Sequence, residues 1–254
     1  MCTLTFIPKA HGYLLGMNRD EMRRREIARP PAVEKKGALD VVYPRESGGG
    51  TWIGANSLGI AFALMNRNSP QSAIKQRTRG DVIPAILRTN EPRHAASAVF
   101  SMDPFGMLPF SLIGIFPAQK VIHEWQWDGR AMRMRRFLWW SHHWFSSGLS
   151  DEEATRVRDV TCYEAWRTRS AGSKEWLRGL HASHLPEQGP FSICVHRPDA
   201  STVSYTEIEF TGSQLAMRYH RGHPCESLGH FDREIVIPAV DQSFREPGSR
   251  AVNQ

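Results

Sequence analysis

Cys2 is the residue whose position carries the most chemical information. With Met1 removed, as is usual before a small residue, Cys2 holds both a thiol and a free α-amine. A thiol ordinarily titrates near about 8.5 and an α-amine near about 7.7–8.0. The amine can therefore take the thiol proton near neutral pH with no separate histidine, which is the arrangement of N-terminal nucleophile chemistry. Two further clusters could assist it. Asn18-Arg19-Asp20-Glu21 follows the apolar run 12–17, which puts a hydrogen-bonding cluster at an expected strand end. Arg19 could hold an anion or lower the thiol pKa by its charge, and Asp20 could accept a proton from the α-amine. Asn66 closes the apolar run 58–65 and could offer its amide or backbone N–H to a developing oxyanion. Singly, each has a plainer reading: a small residue at a terminus, a solvated turn with an ion pair, a hairpin with a capping asparagine.

Short strands must position these groups, with helices gathered mid-chain. Residues 12–17, 51–54 and 58–65 are strand-like, and the last is apolar enough to be covered on both faces. Gly48-Gly49-Gly50 marks a turn. Helices are expected over 81–88 and 93–100, the second opened by Asn90-Glu91-Pro92, since proline is tolerated in a first turn. Strands follow over 110–116, 120–127 and 131–140. Ser150 with Glu153 forms a capping box for a helix reaching about residue 169. A shorter helix spans 174–181, and strands return over 191–196, 202–210 and 214–220. Strands, then helices, then strands, without a linker or repeat, predict one domain over 1–243 built from two sheets flanked by helices. Residues 244–254 form a tail that is expected to fray.

The 254 residues carry 32 basic and 26 acidic side chains, a net charge of +6. The excess is dispersed except at Arg23-Arg24-Arg25 and around Arg130, Arg133, Arg135 and Arg136, and no nucleic-acid motif accompanies it. A solvated basic face is the expectation, with no nucleic-acid partner. No apolar run approaches the roughly 20 residues of a membrane helix, and residues 1–8 lack the features of a secretory signal. The chain reads as soluble and cytoplasmic, with no stable membrane insertion. Nothing in the sequence sets an oligomeric state.

Four cysteines (Cys2, Cys162, Cys194, Cys225) are too few and scattered for a disulfide framework or a C-x-x-C site. His142 and His143 are adjacent and so diverge. His181 and His184 lack an acidic third ligand in an H-E-x-x-H pattern. Cys194 and His196 share a face of an expected strand, but two ligands do not close a site. Core packing is expected for each, with no metal and no required cofactor. Trp125, Trp127, Trp139, Trp140 and Trp144 are expected to pack in the core or on a sheet face, with an apolar-ligand lining as the minority reading.

Met1-Cys2, Asn18-Arg19-Asp20-Glu21 and Gly49-Gly50-Thr51-Trp52-Ile53-Gly54, in this order, resemble the NRDE family, which includes the transport and Golgi organization proteins (TANGO2). Thr78-Arg79-Gly80-Asp81 resembles that family's Ser-Arg-Gly-Glu, and residues 193–204 resemble its C-terminal strands. More distantly, the chain is similar to the choloylglycine hydrolase and penicillin V acylase group. Asn56-Ser57-Leu58-Gly59 through Met65-Asn66 approximates that group's Asn-x-x-Gly-Leu segment ending in Leu-Asn. The resemblance implies an α+β fold, a four-layer αββα sandwich of two mostly antiparallel sheets, and hydrolysis of a small non-peptide C–N amide. By it, Cys2 is the nucleophile, Arg19 and Asp20 position it, and Asn66 serves the oxyanion hole. Asn18 and Trp52 line the substrate site. The acylases' later arginine falls at Tyr205, so Arg197 is its nearest substitute. The acylases use Arg-x-x-Asp, whereas Arg19 and Asp20 are adjacent. The resemblance also implies a second reading, a carrier of haem or another apolar ligand without turnover.

Overall fold

The computed structural model describes residues 2–68 and 77–240, so the tail 244–254 and Met1 lie outside the described residues. Two antiparallel sheets stack face to face. The first has six strands in the order β10-β1-β2-β11-β12-β13, the second seven in the order β3-β4-β5-β6-β7-β8-β9. In the six-stranded sheet, β1 (Cys2–Lys9) and β2 (Gly12–Met22) form a hairpin at its centre. β10 (His142–Ser146) flanks β1; β11 (Ala200–Phe210), β12 (Gln214–Arg221) and β13 (Arg233–Pro238) extend the other side.

The seven-stranded sheet runs in sequence order from β3 (Arg29–Lys36), β4 (Leu39–Arg45), β5 (Ile53–Asn56) and β6 (Ala61–Asn66) to β7 (Phe110–Phe116), β8 (Val121–Trp127) and β9 (Met132–Phe137). Sequential antiparallel neighbours need only short connections. One longer crossover, between β6 and β7, carries a 3-10 turn (Arg79–Asp81), α1 (Val82–Ile86) and α2 (Pro92–Ser101).

Each layer is sealed by its own apolar face. Leu4, Phe6, Leu15, Met17, Ile53, Ala63, Ile113 and Met217 meet between the sheets. The alternate residues of the seven-stranded sheet, among them Phe62, Leu64 and Trp125, pack under α1 and α2 with Ile83, Leu87 and Val99. On the far side, Ile7 and Leu14 pack against α3 (Asp151–Trp166) and α4 (Lys174–His181) through Cys162, Trp176 and Leu177. The result is the expected αββα sandwich. No helix among the described residues is long and apolar enough to cross a membrane.

Local signals set several boundaries. Ser150 Oγ accepts from the Glu153 N–H at 3.1 Å, and Ser173 Oγ from Trp176 N–H at 3.0 Å. Pro92 opens α2 at its first turn, as its fixed φ favours. Five differences from expectation are present. β2 does not end at residue 17 but continues to Met22, so Asn18-Arg19-Asp20-Glu21 lies within the strand. Pairing with both β1 and β11 satisfies its backbone and holds these polar residues extended. No strand forms over 191–196; only an isolated His196–Ser201 bridge is present. The backbone there bonds elsewhere, with Cys194 N–H to Ser183 O and His196 N–H to Gly189 O. The ninth strand is shorter than 131–140, and α3 stops at Trp166. β1, β3, β4, β10 and β13 are strands that the sequence pattern did not announce.

Candidate active site

Cys2 sits directly opposite Arg19 across the β1–β2 pairing and opposite Ser146 on β10. Its side chain belongs to the inter-sheet cluster and is buried. It lines a small cleft of about 60 Å³. Burial raises the Cys2 pKa, with Arg19 and the hydrogen bond from the Asp20 N–H pulling the other way. The resting group is therefore a thiol.

Strand alternation sends Arg19 and Asp20 to opposite sides of β2. Arg19 points between the sheets. Its guanidinium donates to Glu46 Oε1 at 2.7 Å and lies 3.3 Å from Glu21 Oε2. It also stacks 4.4 Å from the centroid of the Trp52 ring. Glu46 would be raised by burial, but Arg19 and Arg25 outweigh this and hold its carboxyl below the usual range. Arg19 is thus a fixed positive wall rather than a free cation.

Asp20 points to the helical layer, where its Oδ1 accepts from Thr202 Oγ1 at 2.6 Å. Its Oδ2 is buried with no hydrogen-bond partner among the described residues, and Arg158 Nη2 stands 3.8 Å away. Burial raises the Asp20 pKa, opposed by Arg158 and Thr202. Oδ2 thus has an ion-pair neighbour but no hydrogen bond of its own, and Asp20 is among the residues that line the same cleft as Cys2.

Trp52 and Asn66 also line the cleft, from just before β5 and from the end of β6. Cys2, Arg19, Asp20, Trp52 and Asn66 are therefore brought together. Two other candidates are not. Asn18 faces the helical layer, where its amide donates to His181 O at 2.8 Å and Ile193 O at 2.9 Å, and its Oδ1 meets His181 Nδ1 at 3.0 Å. It clamps β2 to α4 and to the following loop. Arg197 lies on the loop before β11, paired with Asp199 at 2.7 Å, and is not part of the cleft lining.

Three residues missed by the sequence reading complete the site. Arg79, from the 3-10 turn, enters the cleft and donates to Pro109 O at 2.9 Å. Burial lowers its pKa, while Glu21 and Cys2 act in the opposite direction. Glu46, from the turn after β4, anchors Arg19 and Arg25. Arg158 is the third: fully buried on α3, it donates to Thr3 Oγ1 at 3.1 Å, Ser146 O at 3.3 Å, Phe191 O at 3.3 Å and Cys2 O at 3.4 Å. One signal could have found it, since it falls on the buried stripe of α3 with Ala154, Thr161 and Cys162. The cleft wall also depends on two glycines: a Cβ on Gly50 would stand 2.9 Å from Gly80 Cα, and Thr51 N–H bonds Gly80 O at 3.0 Å.

This arrangement, a buried cysteine at the first strand with the Asn-Arg-Asp-Glu strand beside it and the Gly-Gly-Thr-Trp wall opposite, coincides with a match of residues 1–161 to the Transport and Golgi organisation 2 family. The chain belongs to that family. No curated protein matches by sequence. Among solved structures, a cysteine-to-alanine mutant of a conjugated bile acid hydrolase from Clostridium perfringens superposes with a TM-score of 0.52 at 9% identity, over 94% of this chain and 92% of that one. An arginine-to-leucine variant of that hydrolase gives a TM-score of 0.50 at 8% identity, covering 100% of both chains. A penicillin V acylase from Agrobacterium tumefaciens gives 0.45 at 13% identity, over 86% and 82%. At such identities the likeness concerns the fold alone.

Proposed function

We propose that this protein is an N-terminal cysteine amidohydrolase acting on a small non-peptide C–N amide, with Met1 removed. The observation that carries the reading is one cleft lined by both the buried Cys2 and Asp20, whose Oδ2 is buried without a hydrogen bond among the described residues. In this reading, Asp20 Oδ2 accepts a hydrogen bond from the Cys2 α-amine and orients it. The amine takes the thiol proton as sulfur attacks the substrate carbonyl carbon, and returns it to the departing amine nitrogen. A thioester remains. Water then adds at its carbonyl, leaving the carboxylic acid and restoring the thiol. Asn66 is assigned to the oxyanion, because preformed donors aimed at developing charge are the strongest catalytic device in such chemistry. Arg19 and Arg79 hold the local potential positive, and Trp52 fixes Arg19.

The cleft lining includes three arginines (Arg19, Arg25, Arg79) and three acids (Asp20, Glu21, Glu46). Such a wall suits a small polar substrate better than haem or a lipid, so hydrolysis is preferred to the carrier reading. The test is a panel of small acyl amides, with released amine as the readout. The wild-type protein is expected to hydrolyse at least one, and Cys2→Ala to lose that activity while keeping the wild-type melting temperature. Equal turnover by Cys2→Ala would overturn the proposal.

A further inference from the structure

Apart from the residues that line the cleft, four soft or borderline ligand atoms converge. His184, Cys194 and His196 come from the irregular segment between α4 and β11, and Cys225 from the β12–β13 connection. Their ligand atoms all lie within 4.8 Å of one another. His196 Nε2 is 3.2 Å from His184 Nε2, 3.6 Å from Cys194 Sγ and 3.5 Å from Cys225 Sγ. An imidazole nitrogen offers one N–H or one lone pair in the ring plane, so hydrogen bonding cannot explain three simultaneous approaches to one Nε2.

A shared cation explains them. With zinc–nitrogen bonds of about 2.0–2.1 Å and zinc–sulfur bonds of about 2.3 Å, tetrahedral angles put two nitrogens about 3.3 Å apart and a nitrogen and a sulfur about 3.5–3.6 Å apart. The three separations from His196 match both values. Sequence spacing joined only Cys194 and His196 and gave no metal site; the fold supplies the other two ligands across a long chain separation.

We propose that His184 Nε2, Cys194 Sγ, His196 Nε2 and Cys225 Sγ bind one structural zinc ion. Both cysteines bind as thiolates, so their two protons leave to solvent on loading and the two negative charges balance the dication. Four protein ligands fill the tetrahedron, which is the closed form of a structural site, and an N2S2 set suits zinc. The location gives the ion a task. Apart from the His196–Ser201 bridge, residues 182–199 carry no regular pairing, and Cys225 lies on another loop. The ion ties these two loops together. Through Val195 N–H to Thr202 Oγ1 (2.8 Å) and Thr202 Oγ1 to Asp20 Oδ1 (2.6 Å), it also steadies the strand that carries Asp20. The site stands on its own geometry and does not depend on the hydrolase reading.

The test uses the full chain, purified under reducing conditions, with elemental analysis, Co²⁺ substitution and melting with and without a chelator. The expected result is one zinc per chain. The Co²⁺ form should show the intense visible absorption of tetrahedral thiolate coordination, bleached by added Zn²⁺, and the chelator should lower the melting temperature. Cys225→Ser, a half-buried loop change, should lose the Co²⁺ spectrum and the chelator effect. Cys162→Ser, a buried thiol in α3, should keep both. Trace metal with no Co²⁺ spectrum after reduction, a Cys194–Cys225 disulfide that leaves no Co²⁺ uptake on reduction, or a Co²⁺ spectrum unchanged in Cys225→Ser would each overturn the proposal.

Discussion

Replacing Arg158 by methionine tests how the first strand is held in place. The guanidinium is about as buried as a side chain can be, 1% exposed against 0% for Asp20. It is the donor for the carbonyls of Cys2, Ser146 and Phe191 and for Thr3 Oγ1, all at 3.1–3.4 Å. Methionine fills similar volume but donates nothing. Breaking a buried charge pair costs about 3–5 kcal/mol, because the remaining charge is left uncompensated. The stranded carbonyls each add about 1–3 kcal/mol where water cannot reach them. Since these losses share one group they do not sum, and about 3–5 kcal/mol is the reasonable total. In a protein of this size each kcal/mol moves the melting temperature by about 2–4 °C, so the variant should melt about 6–20 °C lower. The decisive assay is a thermal double-mutant cycle with Asp20→Asn. Removing both charges should cost at least about 1 kcal/mol less than the sum of the single changes, as coupled neighbours do. A shift under about 2 °C for Arg158→Met, or strict additivity with Asp20→Asn, would refute the reasoning.

Three further outcomes follow from the same geometry. Gly50→Ala forces a methyl against the Gly80 backbone at 2.9 Å; overpacking of this kind costs about 1–3 kcal/mol, read as a lower melting temperature, whereas Gly49→Ala tests strain of a different origin because Gly49 has φ +88° with open space around it. His181 is buried and its pKa is depressed to about 3 by burial, with His143 and Arg158 adding to it. Its neutral form is therefore the one that folding selects, so its contribution is fully present above about pH 6.5 and is lost progressively as pH falls toward about 3; acid unfolding of His181→Asn should show a shallower stability loss across that window, and an unchanged profile would contradict the assignment. Arg19→Lys keeps the charge but loses the planar stack on Trp52 and the fork to Glu46; fluorescence of Trp52 and thiol reactivity of Cys2 should both change, and neither changing would remove Arg19 from the positioning role.

What the sequence made legible depended on range. Ser150 with Glu153 and Pro92 announce helix starts because a cap is a local contract between residues three apart. The apolar run ending at Asn66 is legible because both faces of β6 are covered. β3 was not, since Arg29-Pro30-Pro31 and alternating exposed charges mark an edge strand whose pattern is faint. The run 191–196 has strand-like composition, yet its N–H groups are taken by Ser183, Gly189 and Thr202, which no local pattern reports. The site divides in the same way. Cys2, Arg19, Asp20 and Asn66 were legible as residue types at a terminus or after apolar runs, and Trp52 only through the family resemblance. Arg79 and Glu46 reach the cleft, and Arg158 the Cys2 carbonyl, only through sheet stacking and helix docking, and the His184–Cys225 encounter needs two loops to meet.

The central claim is that Cys2 is an activated terminal nucleophile. Intact-protein mass spectrometry before and after a limiting dose of a thiol-alkylating reagent, with the labelled site mapped by peptide, tests it most directly. The account predicts a chain lacking Met1 and labelling of Cys2 ahead of Cys162, Cys194 and Cys225, suppressed by Asp20→Asn. A retained Met1, or a Cys2 that reacts no faster than Cys162 buried in α3, would contradict it.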